Sequence, residues 1–272
     1  MLKKSSLQKR VDQMTTWQEL NDQVQLWLKD VRKQLIEGCK TELAISQKTS
    51  RLDLVTNIDK QVEKYLVEKI RKTFPNSKIL GEEGDRDQDL AEYEGLLWII
   101  DPLDGTMNFV KQKDHFASMI AIYENGQEKL GYILDVVNNE LYWGGPECGV
   151  FCNDKPLPRV LDLSLSEGLL DVSGQMLLHD YRGTRQVAKE SLGIRIYGSA
   201  GISFIHVLTG KTIGYFSHLH PWDYAAGQIL ANTQGLTIKS IDDSELDVLI
   251  SNDVLVATKN AGNDILKLMK RH

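Results

Sequence analysis

The sequence predicts a mixed α/β fold, and three patterns predict it. Residues 96–152 carry short apolar runs joined by turn residues, the pattern of an antiparallel meander. From residue 168 onward, apolar runs alternate with segments of helical periodicity, as in an α/β layer. Two amphipathic helical stretches precede both. At 272 residues the chain suffices for one large domain or two closely packed halves. Hydrophobic residues make up 42% and charged residues 26%, the balance of a soluble globular protein. A net charge of −6 and a pI near 5.6 argue against a general nucleic-acid binder, whose affinity rests on a basic face. No stretch approaches the roughly 18 consecutive apolar residues of a membrane span. Cys39, Cys148 and Cys152 show no metal-site spacing, so a reduced, cytoplasmic protein is the economical expectation.

In chain order, Met1 to Met14 is basic and polar without an apolar core. It reads as a disordered extension over residues 1–15, not as a signal peptide. Leu20, Val24, Trp27, Leu28, Val31, Leu35 and Ile36 predict a helix over 17–39, with Gly38 as its stop. Val62, Tyr65, Leu66, Ile70 and Phe74 predict a second over 59–73, with Asp59 where an N-cap belongs. Ile79-Leu80 leads into Gly81-Glu82-Glu83-Gly84, and the acidic stretch 85–95 reads as an exposed, mobile loop. Strands are expected at 96–100, 116–123, 128–137 and 140–143. The prolines of 156–166 mark a boundary between an N-terminal half, 16–157, and a C-terminal half, 158–272. Beyond it, strands at 168–172, 194–196, 213–216, 238, 248–250 and 254–257 alternate with helices at 182–192, 201–209, 221–233 and 261–271.

One stretch organises the rest: Trp98-Ile99-Ile100-Asp101-Pro102-Leu103-Asp104-Gly105-Thr106-Met107-Asn108-Phe109. A buried strand discharges into two aspartates three residues apart. Pro102 biases Asp101 toward an extended conformation, and Gly105 frees the backbone beside Thr106. Carboxylates at a strand end next to exposed amides suit hard divalent cations and a phosphate together. An Asp-rich turn that caps a helix and binds nothing is the competing reading. Further acids, Asp53/Asp59, Glu82/Glu83 and Asp223, each fall where an element begins or ends. No His or Cys cluster competes for a softer metal.

Gly81-Glu82-Glu83, the Asp101 to Phe109 segment and Pro221-Trp222-Asp223-Tyr224-Ala225-Ala226-Gly227 resemble the motifs of the inositol monophosphatase family. The segment Asp53 to Asp59 is similar to one that the family carries upstream. The likeness keeps order and spacing from about Trp17 to the C-terminus. It implies the layered α-β-α-β-α sandwich shared with fructose bisphosphatases, and a Mg2+-dependent, lithium-sensitive phosphomonoester hydrolase with two or three ions. By resemblance, Glu82, Asp101 and the Leu103 carbonyl would bind one ion, and Asp101, Asp104 and Asp223 a second. Thr106, oriented by Asp59, would position the attacking water near Glu82. Asp104, Gly105 and Thr106 would meet the phosphate, and Gly198-Ser199-Ala200 the substrate. A homodimer acting on a small phosphorylated substrate is implied as well.

Departures bear on the substrate. In inositol-specific members a glutamate seven residues before the last metal aspartate contacts the sugar hydroxyls, and that place here is Phe216. His218 and His220 read as rim residues, not catalysts. Inositol monophosphate or a related sugar or polyol phosphate is the leading substrate expectation. An NADP(H) 2′-phosphatase, a 3′-phosphonucleotide phosphatase and a fructose-1,6-bisphosphatase are alternatives. A partner protein of the transcription or translation machinery is the alternative outside enzymes.

Overall fold

The computed structural model describes residues 16–41, 43–47 and 54–270, which form five layers: helix, sheet, helix, sheet, helix. Residues 1–15 and Asp53 lie outside the described residues. The first outer layer holds α1 (Trp17–Gly38) and α2 (Asn57–Thr73). The stripe expected on α1 is buried, from Leu20 to Leu35. Two short strands, β1 (Ile45–Gln47) and β2 (Leu54–Thr56), pair antiparallel ahead of α2. That helix starts two residues early because Thr56, not Asp59, is its N-cap. Asp59 falls at the third helical position and accepts both the Thr56 N–H, at 2.9 Å, and the Thr56 hydroxyl. The pair is a capping box, with both residues buried.

The first sheet runs in sequence order: β3 (Lys78–Gly81), β4 (Leu96–Asp104), β5 (Ala117–Glu124), β6 (Gln127–Asp135), β7 (Glu140–Gly145), β8 (Gly149–Cys152) and β9 (Lys155–Pro156). Only β3 and β4 pair parallel; the rest is the expected meander. Trp98, Ile100 and Phe116 turn outward onto Trp27, Val62 and Leu66 of the helices. β4 continues four residues past the end that its apolar run predicts, and its register slips there. Asp101 lies opposite Met119 and Asp104 opposite Ala117, so three steps on β4 face two on β5. The extra residue is a bulge, and Pro102, which has no N–H to give the ladder, sits inside it. A short helix, α3 (Thr106–Lys111), follows at once.

Residues 85–95 do not form a free loop. Arg71 Nη2 donates to both carboxylate oxygens of Asp87 at 2.6 Å, and Asp87 also accepts the Ile79 N–H at 2.8 Å. Leu90 is buried beyond that clamp.

The second sheet has the spatial order β11 (Gly193–Arg195), β10 (Leu169–Val172), β12 (Gly214–Leu219), β14 (Asn252–Ala257), β13 (Thr237–Ser240). Its first three strands are parallel, and β14 runs antiparallel between β12 and β13. Residues 248–250, expected as a strand, form a turn instead. The Tyr224 hydroxyl and the Asn252 amide take up the carbonyls of Asp247 and Ile250, which a ladder would have needed. Between the sheets lie α6 (Ala200–Leu208) and α7 (Pro221–Gln234). The short α4 (Gly174–Leu178), α5 (Thr184–Glu190) and α8 (Lys259–Met269) cover the far face. The middle layer is common to both halves, since Leu97 and Met119 share one apolar cluster with Tyr215, Ile229 and Val254. The three cysteines are free thiols.

Close approach of α7 to the first sheet depends on Gly131 in β6. A Cβ there would stand 2.5 Å from the Ala226 carbonyl oxygen of α7. Gly131→Ala is therefore expected to cost about 1–3 kcal/mol in a urea melt through forced repacking. An unchanged midpoint would show that the helix has room to retreat.

Candidate metal and phosphate site

Side chains alternate along a strand, so two residues three apart normally face opposite ways. The bulge in β4 removes that conflict. Asp101 and Asp104 both take the face of Met119 and Ala117, which is the face of the middle layer. Asp223 comes from α7, where Pro221 occupies the first helical position and the His220 N–H donates to Asp223 Oδ2 at 2.7 Å. One carboxylate oxygen from each of Asp101, Asp104 and Asp223 lies within 4.8 Å of the others. Glu82 follows β3, its N–H on the Ile100 carbonyl at 3.2 Å, and its carboxylate bears directly on Asp101.

These carboxylates sit in contrasting surroundings. Asp104 accepts the Ser199 hydroxyl and the N–H groups of Ala200 and Gly201, at 2.9 and 2.8 Å. It thereby caps the first turn of α6, where the helix dipole favours an anion. Burial outweighs these donors and pushes the Asp104 carboxyl up to about 6. Asp101 accepts the Leu103 N–H at 3.0 Å. Burial and then the negative charges of Glu82, Asp104 and Asp223 hold its carboxyl well above the usual range. Buried and half-buried carboxylates of one sign, converging from three elements, could hold a hard divalent cation.

Beside them, Thr106 Oγ1 stands 3.1 Å from Asp59 Oδ1 and 3.1 Å from the Leu103 carbonyl. Asp59 is thus fixed at one oxygen by Thr56 and turned at the other toward Thr106. Burial raises its carboxyl too. Gly105, at φ +83°, opens α3, and a Cβ there would meet Ser199 Cβ at 3.0 Å. A side chain at that position would be strained by the backbone and would press on the site's wall.

The structure brings Asp59, Glu82, Asp101, Leu103, Asp104, Gly105, Thr106 and Asp223 around one centre. Ser199 and Ala200 join it by holding Asp104. Gly198 stays exposed, facing the Asn108 amide. Phe216 does not line the site: its ring is fully buried in the outer core with Leu170 and Val172. Tyr215 and Leu219 pack in the middle layer, so alternation turns Ser217, not Phe216, toward Asp104 and Asp223. His218 pairs with Asp253 at 2.8 Å and His220 with Ser251 at 2.6 Å, both in exposed positions.

Two supporting residues are not singled out by the sequence, Glu63 outside any motif and Asn108 within the Asp101 to Phe109 segment. Glu63, 1% exposed on α2, accepts the N–H groups of Glu83 and Asp85, at 2.8 and 3.2 Å, and so holds the loop that carries Glu82. Its place four residues after Asp59, on a buried helix face, is the only signal in the sequence. Asn108 Nδ2 donates to the carbonyls of His115 and Tyr197, tying α3 to the segment before α6.

The family model for the inositol monophosphatase family matches residues 17–272. An inositol-1-monophosphatase of Bacillus subtilis is 36% identical over 259 residues, covering 93% of this chain and 97% of its own. A fructose-1,6-bisphosphatase/inositol-1-monophosphatase of Thermotoga maritima is 32% identical, covering 76% and 79%. Among solved structures, an IMPase/NADP phosphatase complexed with Mg2+ and phosphate superposes with a TM-score of 0.87 at 27% identity, covering 93% of this chain and 96% of that one. With this fold and this cluster of carboxylates, the chain belongs to the inositol monophosphatase family and is a phosphoric monoester hydrolase.

Proposed function

We propose that the chain hydrolyses inositol monophosphate or a related sugar or polyol phosphate with magnesium, through the carboxylates named above. The convergence of Asp101, Asp104 and Asp223 carries this reading, because acids of one sign held this close, two of them buried, are stabilised by a cation between them. Magnesium, when bound, makes water a usable nucleophile near neutral pH and offsets charge on the leaving oxygen. Glu82, Asp101 and the Leu103 carbonyl would hold one ion, and Asp101, Asp104 and Asp223 another. The Thr106 hydroxyl, turned by Asp59, would orient the attacking water beside Glu82. The Gly105 and Thr106 N–H groups receive the phosphate oxygens. Phosphate monoesters hydrolyse so slowly alone that this positioning and charge placement must supply most of the acceleration.

A second substrate reading has its own support. Ser217 and the Tyr215 phenol make the site-facing side of β12 neutral. A neutral wall tolerates a substrate with further negative charge, such as the 2′-phosphate of a nicotinamide dinucleotide. The neighbour solved as an IMPase/NADP phosphatase fits the same reading.

Phosphate release should be assayed from inositol 1-phosphate, NADP, fructose 1,6-bisphosphate and a 3′-phosphonucleotide. Each would be run with magnesium, with EDTA and with millimolar lithium added to magnesium. Release that EDTA abolishes and lithium suppresses is expected from at least one substrate, and the fastest names the class. Silence from folded, magnesium-supplied protein would reject all four. Asp101→Asn and Asp223→Asn are each expected to lower turnover by about 100-fold or more while the melting temperature holds or rises. Full activity in either variant would refute the assignment.

The pH dependence has a definite sign. With its carboxyl at about 6, Asp104 in the metal-free protein carries a proton below that pH, and magnesium must displace it. Half-saturating magnesium is therefore expected to rise as pH falls through 6, with protons released on binding in calorimetry. A half-saturation that ignores pH would contradict the assigned ligand.

A further inference from the structure

Asp171 of β10 is 1% exposed, and neither carboxylate oxygen has a hydrogen-bond partner among the described residues. Buried polar groups in native folds are nearly always satisfied, so this one requires an explanation. Its strand neighbours Leu170 and Val172 pack in the outer core, which turns Asp171 into the middle layer. There the Ser203 hydroxyl of α6 and the N–H groups of Val172 and Tyr197 come close to it. The Ser203 hydroxyl instead donates to the Ser199 carbonyl at 2.7 Å, and Ser199 in turn donates to Asp104. Asn108 holds the Tyr197 carbonyl at 2.7 Å from the other side. Asp171 thus lies against the segment, 197–203, whose residues donate to Asp104.

We propose that Asp171 is a positioning residue. Through Ser203 and the Tyr197 backbone, its protonation state sets how the first turn of α6 is held under Asp104. As a neutral acid it has a proton of its own to place and leaves the Ser203 hydroxyl on Ser199. As a carboxylate it can only accept, and it competes with the Ser199 carbonyl for that hydroxyl. Burial pushes its carboxyl up to about 7, so the exchange falls in the working range. The titratable and charged groups around it are few. From β12 it meets the buried Tyr215 phenol, which also feels Asp104 of β4 and Asp223 of α7. From β11 its register neighbour is Arg195, exposed, with Nη1 on the Ile194 carbonyl. One turn beyond Ser203, His206 packs on Tyr197 and is kept neutral by burial.

The inference rests on the phosphatase reading for its catalytic readout alone. Asp171→Asn mimics the neutral acid, and Ser203→Ala removes the hydroxyl through which the change is passed on. A carboxyl raised in the fold favours folding fully below its unfolded value near 4, and loses that contribution as pH rises through about 7. Wild-type melting temperature in EDTA is therefore expected to fall more steeply between about pH 4 and about pH 7 than that of Asp171→Asn. With magnesium, KM of the wild type is expected to rise at least about threefold between about pH 6 and about pH 8, where the folded carboxyl changes charge, while in both variants it stays flat. kcat of Asp171→Asn should match the wild type near pH 6. Parallel melting profiles would overturn the proposal, since Asp171 would not titrate there. Differing melting profiles with superimposable KM profiles would overturn it too, leaving Asp171 a packing residue. If no substrate is turned over, the phosphatase reading fails, and affinity for inorganic phosphate with magnesium replaces KM with the same two outcomes.

Discussion

Repulsion among like charges is the constraint on which the rest of this structure depends. Carboxylate oxygens of Asp101, Asp104 and Asp223 stand within 4.8 Å of one another. At that spacing, and with the effective dielectric of about 20 that suits protein sites, each ionised pair repels by about 3 kcal/mol. A flexible chain would separate them. Here each is held from its own direction: Asp101 and Asp104 by a bulge in a fully buried strand, Asp104 again by the start of α6, Asp223 by the start of α7. The carboxyls of Asp101 and Asp104 are raised first by burial and then by neighbouring negative charge that the fold does not let them escape. A cation of two charges would relieve that stress.

The layer order follows from the same requirement. Asp101 and Asp104 belong to the first sheet, whereas α6 and α7 lie between the sheets and pack on both. Only in the middle layer can a strand end of one sheet meet helix starts that are fixed against the other. Gly131 lets α7 sit on the backbone of β6, and an added methyl would intrude between them. An outer ring of polar contacts then removes slack. Glu63 holds the Glu82 loop, Arg71 grips Asp87 behind it, and Asn108 ties α3 to residue 197. Supports of this kind orient ligands whose own hydrogen bonds are few.

Much of this was legible in the residues. Periodicity located the two outer helices, the meander and the late α/β alternation within a few residues, because those elements bury one clean face. The acid-bearing motifs could be read because Asp-Pro-Leu-Asp-Gly-Thr and Pro-Trp-Asp combine ligand with turn chemistry in one local run. What stayed hidden depends on partners distant in sequence. Thr56 displaced Asp59 as the cap because a hydroxyl and a carboxylate three residues apart can cap reciprocally, which the apolar stripe does not reveal. Residues 85–95 looked mobile by composition, yet one arginine from α2 anchors them. Asp171 gave no signal at all, being one polar residue within a strand of aliphatic ones.

The substrate side teaches the sharpest version of that point. Counting seven residues back from Asp223 selects Phe216, and an aromatic ring there would close the sugar side to hydrogen bonding. The count assumes a fixed connection between β12 and α7. Facing on a strand is decided instead by parity, and parity is set where the strand is anchored: Tyr215 and Leu219 inside the middle layer, Phe216 in the outer core. Ser217 therefore takes the inward place, and the inward face of β12 carries no charged side chain. A carboxylate there would select hydroxyl-rich, weakly charged leaving groups and repel a second phosphate. A serine does neither, so this face of β12 carries no charge by which to select a leaving group.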